Sequence, residues 1–451
     1  MDDTKFCLLV AAIDFGTSSS GCAFSFRHCY KEDPLDIHFI EKWMGDDDYH
    51  IFFSKKPPTC VLLNPQKEFL SFGYEAEQKY SELAFGSNHY DHYFFKEFKM
   101  VLHETRKLSR TIMIKDVKGK EVPALDLFAH VIRYLKDNLL SALESRKTSI
   151  IHRDIHWVLT VPDLWWKNSA KQFMREAAIK AGILTEYLTI CLEPEAALTY
   201  CQRLPATAFI GNPGTQSFLS SSSETKFMII NLGGTTASIN INQKQSNGTF
   251  YELHIPTGGP WGGNKVNEAL ERMIIKIVGA SCFQIFKDDH KTEYIEMQRR
   301  LEIKKGTVKP DSISKITIRI SSIIHTLFKE ETGENIKDVI QQMQLSKKIT
   351  WLGDFLRIDS DLFKDLFREP VNMLVEHIQQ LMTEDNLSDV STLLMVGGFS
   401  ESPIVLDAIM KAFPDKRVIV PEEARLAVLQ GAVLFGHESD ADLGSNPPGL
   451  L

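Results

Sequence analysis

Apolar positions in this chain gather into short runs separated by longer stretches of helical spacing. Cys7–Asp14, Ile155–Val161, Leu188–Leu192, Phe227–Leu232 and Thr392–Val396 are the runs that read as buried strands. Gly21–Phe26, Leu35–Trp43, Thr59–Leu63, Phe69–Gly73, Lys315–Ile320 and Arg417–Val420 read as further strands. Thr111–Val117 and Glu121–Pro123 flank Lys118-Gly119 as a small hairpin. Asn247-Gly suits a tight turn between Ile239–Gln243 and Phe250–Ile255. Ala124–Leu143 carries Leu127, Phe128, Val131, Ile132 and Leu135 at helical spacing. Asn168 is placed to cap a helix Ser169–Ala181, which Gly182 ends. Tyr74–Tyr80, Glu195–Tyr200, Asn264–Val278, Glu293–Lys305, Ser360–Met382 (interrupted near Pro370), Val405–Phe413 and Glu422–Leu434 read as the other helices. The aromatic run His89–His103 reads as a surface loop, because no acid, His or Cys set completes a metal site around His89 and His92.

The pattern restarts part-way. Val10-Ala-Ala-Ile-Asp-Phe-Gly-Thr-Ser-Ser-Ser-Gly21 and Phe227-Met-Ile-Ile-Asn-Leu-Gly-Gly-Thr-Thr-Ala-Ser-Ile-Asn240 are both strand, glycine turn, strand. Glycines let backbone N–H groups approach a ligand, and such a turn can hold phosphate oxygens in a nest of amides. Each half then adds strands alternating with helices, so the chain reads as duplicated α/β lobes facing one cleft. Thr257-Gly-Gly-Pro-Trp-Gly-Gly263 leads into a helix and Val396-Gly-Gly ends a strand, so two more glycine elements suit phosphate or ribose contact. The reading places lobe I at 5–204 and 421–437, a polar linker or surface insertion at 205–225 with four serines Ser220–Ser223, lobe II at 226–420, and a flexible tail at 438–451.

Composition narrows the function. At 451 residues, 43% hydrophobic and 24% charged, the chain is globular and long enough for two cores. Its net charge of −8 argues against nucleic-acid binding as the main role. Seven dispersed cysteines without a CxxC pair point to a reducing compartment, hence the cytoplasm, and to no structural zinc. No apolar run approaches the ~20 residues of a membrane span, so no membrane insertion is expected.

The ordered set Ile13-Asp-Phe-Gly-Thr-Ser-Ser-Ser, Val161-Pro, Glu193-Pro-Glu-Ala-Ala, Asn231-Leu-Gly-Gly-Thr-Thr, Val396-Gly-Gly-Phe-Ser-Glu-Ser-Pro and Ala427-Val-Leu-Gln-Gly-Ala-Val resembles the nucleotide-binding domain of the 70-kDa heat-shock proteins. Phe98-Lys-Met-Val-Leu-His103, Lys171-Gln-Phe-Met-Arg-Glu-Ala-Ala178, Gly258-Gly-Pro-Trp-Gly-Gly263 and Phe435-Gly-His are similar to the divergent "member 12" subfamily. The resemblance runs from Leu8 to Gly436. It implies a two-lobed actin-like ATPase fold, of the ribonuclease H-like class, with duplicated lobes around a nucleotide cleft. It implies that Gly16, Thr17 and Ser18 meet the terminal phosphates of ATP or ADP from one lobe, and Gly233, Gly234, Thr235 and Thr236 from the other. Asp14 would hold water on Mg²⁺, Lys99 would approach the γ-phosphate, and Glu193 would orient the attacking water or the magnesium shell. Gly262, Gly263, Glu302, Lys305, Gly397 and Gly398 would line the adenosine side.

Against the family pattern, Asn231 and Ser238 stand where acids are expected, Thr235 replaces a glycine, Asn267 an acid, and Gly306 a basic residue. An amide accepts a hydrogen bond from a metal-bound water but supplies no negative charge and takes no proton at neutral pH. Losing a base or orienting acid costs on the order of 10²–10⁴ in rate, while backbone nests still bind. The expectation is an ATP-binding heat-shock-like protein, slow or inactive as an ATPase, acting on unidentified protein partners. The chain ends within fifteen residues of Gly436, where the family's chaperones continue into a β-sandwich, so no peptide-binding domain is expected. A working slow Mg²⁺-dependent ATPase, a small-molecule kinase of the same superfold and a scaffold with an empty cleft are the alternatives.

Overall fold

The structure is a computed structural model that describes residues 7–41, 43, 54–85, 88–101, 110–146, 150–163, 167–212, 224–246, 250–343 and 346–442. Ser220–Ser223, the Asn247-Gly turn, His103 and the end of the tail lie outside the described residues.

Two mixed sheets form the frame. In the first, Leu9–Phe15 pairs antiparallel with Ser20–Phe26, which continues to His38–Phe39. On its other side Leu9–Phe15 runs parallel to Ile155–Val161, and that strand runs parallel to Leu188–Leu192. The second sheet repeats this plan. Lys226–Leu232 pairs antiparallel with Ala237–Lys244, which pairs with Phe250–Gly259. Its other neighbour is the parallel strand Thr392–Val396, followed by Arg417–Pro421. The architecture is therefore α/β with duplicated lobes, as the restart of the pattern implied. Phe209–Gly211 adds an antiparallel edge strand to the second sheet, within a segment whose composition reads as a linker.

The sheets meet through two helices, Glu193–Arg203 and Ala427–Asp442. One apolar cluster joins Val10, Ala12 and Val158 of the first sheet, Ala196 and Ala197, Leu429 and Val433, and Ile229, Leu394 and Val396 of the second. Small residues set the spacing of these layers. A Cβ at Gly431 would collide with the Ala196 carbonyl oxygen, so the two helices cross with their backbones nearly touching. Each lobe has its own core besides, one around Phe15, Phe128 and Leu159, the other around Ile230, Leu270 and Phe363.

Several expectations change. The aromatic run is no surface loop: Tyr93–Lys96 is a strand paired with Cys60–Leu63, and His89 is buried with its ring edge-on to Tyr80. Its reason is that Phe94 and Phe95 both find apolar neighbours, one on each side of this small sheet. Among the described residues of Leu35–Trp43, strand pairing occurs at His38–Phe39 alone. Asn168 sits inside the helix Lys167–Lys180 rather than before it. Pro370 falls in the first turn of Arg368–Leu381, where its missing N–H is harmless, and the interruption lies at Leu366–Phe367. The last helix begins at Ala427, after a short turn at Ala424–Leu426. Helices Ala280–Asp289, Ile323–Thr332 and Ile336–Gln342 and the hairpin Ile349–Leu352 with Phe355–Ile358 were not legible from spacing.

At the rim, Glu77 of the helix Gly73–Phe85 is buried between Arg299 of Lys291–Thr307, at 2.6 Å, and Lys96, at 3.1 Å. Burial works against its carboxylate, but Lys96 and Arg299 outweigh burial and hold its pKa below the ordinary value. A depressed carboxyl contributes stability that is present above the unfolded value and lost as pH falls through the folded one.

Two outcomes are expected. Gly431→Ala lowers stability by about 1–3 kcal/mol, the usual penalty for overpacking, as read by urea denaturation. Glu77→Ala costs about 2–3 kcal/mol at neutral pH, somewhat less than a fully buried pair because Lys96 and Arg299 keep some water. That deficit shrinks as the pH is lowered below the ordinary glutamate range. A deficit independent of pH would contradict the ion-pair account.

Candidate functional site

The repeated hairpins bring their turns together. Ser18 Oγ lies 3.1 Å from Thr235 Oγ1, across 217 positions of sequence. A Cβ at Gly234 would stand 2.6 Å from Ser18 Cβ, so only glycine allows this approach. The first turn is braced by Thr59 Oγ1, which donates to the Gly16 carbonyl at 2.9 Å. Within the second, the Gly233 N–H donates to Thr236 O at 2.9 Å. Gly16, Thr17, Ser18, Gly233, Gly234, Thr235 and Thr236 are all half-buried, so the turns face an accessible space.

The glycine-rich loop is bonded onto the second turn. Gly262 N–H donates to Thr235 O, Gly263 N–H to Gly233 O and Asn264 N–H to Gly234 O, at 3.2, 3.1 and 2.6 Å. Lys305 Nζ then donates to Gly263 O at 3.0 Å, Asn267 Oδ1 at 2.8 Å and Glu302 Oε1 at 2.6 Å. Burial holds the Lys305 amine below its ordinary pKa. Gly397 follows Val396, which is paired in register with Asn231, and Gly398 opens the short turn whose Phe399 ring lies against Gly263. The expected adenosine-side residues thus form one surface continuous with the phosphate turns.

The charged residues collect where the two sheets end. Asp14, the penultimate residue of its strand, is buried and accepts from Thr160 Oγ1 at 2.9 Å and from Lys56 Nζ at 2.5 Å. Glu193 opens its helix and lies 3.7 Å from Lys99 Nζ. Its other oxygen accepts from Asn231 Nδ2 at 2.9 Å, which ties lobe to lobe. Lys99 is fully buried and also donates to the Phe15 carbonyl. Burial pushes the Glu193 carboxyl up and the Lys99 amine down, each partly offset by the other. Ser238 is buried beside Asn231 across the hairpin, in register with it.

Sequence reasoning missed Lys56, Thr160, Thr59 and Asn264. Lys56 precedes Pro57-Pro58 and belongs to no motif; its only sequence trace is Gly21, opposite Asp14 in the hairpin, whose lack of a side chain leaves room for the lysine stem. Asn264 donates to Glu97 and, at 3.4 Å, to Thr235 Oγ1, in a helix-start position that spacing shows but whose partners it does not.

The expected magnesium is testable against this donor set. Two carboxylates face two ammonium groups, and among the described residues no group of three or more His, Cys, Asp or Glu is placed to hold a metal ion. Asp14 is already neutralised by the Lys56 ammonium at 2.5 Å, whose repulsion of a divalent ion offsets the attraction the carboxylate would supply. With Lys56 where it stands, the site does not fit an ion whose water Asp14 would hold.

Two glycine turns from duplicated lobes, an acid at the end of one first strand and a glycine loop locked onto the other turn define a nucleotide-binding domain of the actin-like ATPase kind. Comparison with known proteins gives the family. The chain is 32% identical over 477 aligned residues to Heat shock 70 kDa protein 12B of Homo sapiens, covering 95% of this chain and 68% of that protein. It is 32% identical over 476 residues to Heat shock 70 kDa protein 12A of Mus musculus, covering 95% and 69%. Chaperone protein dnaK1 of Synechocystis is 23% identical over 332 residues, covering 72% and 41%. No family model matches the chain. The chain belongs to the heat-shock 70 kDa protein 12 family.

Replacing Asn231 with an acid removes the donor to Glu193 and sets two carboxylates side by side. Asn231→Asp is expected to destabilise the fold by about 1–3 kcal/mol at neutral pH. The like-charge neighbour raises the new carboxyl's pKa, so the deficit shrinks in acid and grows as pH rises through that value. Urea titrations at acidic and neutral pH check this; equal stability of both proteins at neutral pH would show that the bond carries no weight.

Proposed function

We propose that the cleft binds ATP and ADP, and that the protein is slow or inactive as an ATPase and acts as a nucleotide-responsive, chaperone-like binder of other proteins. The observation that carries this reading is the meeting of the two glycine turns at Ser18 and Thr235. Backbone nests of this kind grip phosphate without needing a charged side chain. Gly16, Thr17 and Ser18 take the terminal phosphates from one lobe and Gly233 to Thr236 from the other. Gly262, Gly263, Glu302, Lys305, Gly397 and Gly398 take the adenosine. Residence in the cytoplasm belongs to the same proposal and is supported by seven free cysteines, six of them buried.

Weak catalysis is supported by the state of the polar groups. Phosphoryl transfer depends on positioned water and charge stabilisation. Here the Asn231 amide is spent on Glu193, and Glu193 is further engaged by Lys99. Burial pushes the Glu193 carboxyl up and makes it a stronger base, and its place in the cleft favours one second reading: a slow ATPase in which Glu193 receives the proton of the attacking water.

Calorimetric titration with ATP and ADP tests binding, with saturation below millimolar nucleotide expected. No heat and no rise in melting temperature at millimolar nucleotide would overturn the proposal. Single-turnover hydrolysis in wild type and Glu193→Gln then separates the readings. Equal, very slow turnover in both is expected; brisk turnover in wild type that falls ~10²-fold or more in Glu193→Gln would favour the ATPase.

A further inference from the structure

The cleft already contains a cation at the acid that ends the first strand. Lys56 is fixed there by its surroundings. Its own segment is stitched to the first turn by Ser20 N–H donating to Pro57 O at 3.0 Å and Thr59 N–H donating to Ser18 O at 2.9 Å. Ser54 Oγ donates to the Lys56 carbonyl at 2.7 Å and accepts from its N–H at 3.2 Å. The side-chain stem lies over Gly21, where a Cβ would stand 2.9 Å from Lys56 Cγ. The ammonium, on a side chain only 11% exposed, ends against Asp14, two residues before Gly16.

We propose that Lys56 is a built-in cation that serves the phosphate tail in place of a divalent metal, so that this protein binds nucleotide without magnesium. The inference rests on the reading of the cleft as a nucleotide site. At the ends of the first-sheet strands Asp14 is paired with Lys56 and Glu193 with Lys99, while Glu97 reaches the second turn through Asn264. Asp14 and Glu193 are thus each engaged by a lysine rather than left open to the waters of a divalent ion. An ammonium offers three donors. One holds Asp14, and the other two remain for a terminal phosphate oxygen at the Gly16–Ser18 turn, to which the segment carrying Lys56 is stitched. Lys99 does not duplicate this role, because it is turned to the Phe15 carbonyl and Glu193.

The test is calorimetric titration of the full chain with ADP in EDTA and in millimolar magnesium chloride. Wild type is expected to bind with affinities within ~3-fold of each other in the two buffers, and Lys56→Arg to behave alike. Lys56→Gln is expected to lose at least ~10-fold in EDTA, the loss of one charge-assisted contact, and to recover part of it with magnesium. Wild-type binding that appears only with magnesium would overturn the role of Lys56 while leaving the nucleotide reading intact. Unchanged binding of Lys56→Gln in EDTA would do the same. No ADP binding by wild type in either buffer would overturn both. Should Lys56→Gln fail to fold by circular dichroism, the metal dependence of wild type and Lys56→Arg still decides.

Discussion

Burying Asp14 at the end of its strand is possible only because both of its oxygens are answered, one by Thr160 and one by Lys56. An unpaired carboxylate at that depth would cost several kcal/mol or give up its charge. Much of the surrounding structure serves this arrangement. Ile155–Val161 delivers Thr160 from the neighbouring parallel strand. Gly21 vacates the space for the lysine stem, and the Pro57–Thr59 backbone fixes the segment that carries it. A second pair, Glu193 with Lys99, is held by the helix that separates the two sheets, and Asn231 reaches it from the other lobe. The lobes therefore join through a charge-balanced polar junction, with the apolar helix pair Glu193–Arg203 and Ala427–Asp442 behind it.

This balance changes what the duplicated turns can do. Under the proposed function, backbone N–H groups of the two turns supply the binding half of an ATPase site. The acids that would gather a metal and a water are either amides, as at Asn231, or neutralised by lysine, as at Asp14. In the proposed mode, attraction for phosphate comes from amides and fixed ammonium groups, which need no recruitment from solvent. On the proposed reading, closure of the lobes around a phosphate tail would alter the Ser18–Thr235 and Asn264–Glu97 contacts. The proposed nucleotide-dependent binding of partners would then need no turnover.

The fold was largely legible because its buried strands are nearly unbroken apolar runs. Ile155–Val161, Leu188–Leu192 and Thr392–Val396 coincide with the strands, and the repeat of strand, glycine turn and strand announced the duplication. Elements that cover the outer part of lobe II were not legible. Ala280–Asp289 and Ile336–Gln342 are short, so their apolar positions span too few turns to stand out as helices. Within the site, residues in motifs were found and residues outside them were not. Lys56 illustrates why: its role depends on a non-local approach of a Pro-Pro segment to a hairpin, which no local spacing encodes. The aromatic run around His89 was misread for the same reason, since burial there is supplied by Cys60–Leu63 and Tyr80, distant in sequence.

The central claim is that both glycine turns grip one nucleotide. Amide hydrogen exchange of the full chain with and without ADP tests it most directly, because the nests act through backbone N–H groups. The account predicts that Gly16–Ser18 and Gly233–Thr236 become protected together and to the same saturation point. Protection of neither turn, or of one without the other, would contradict it.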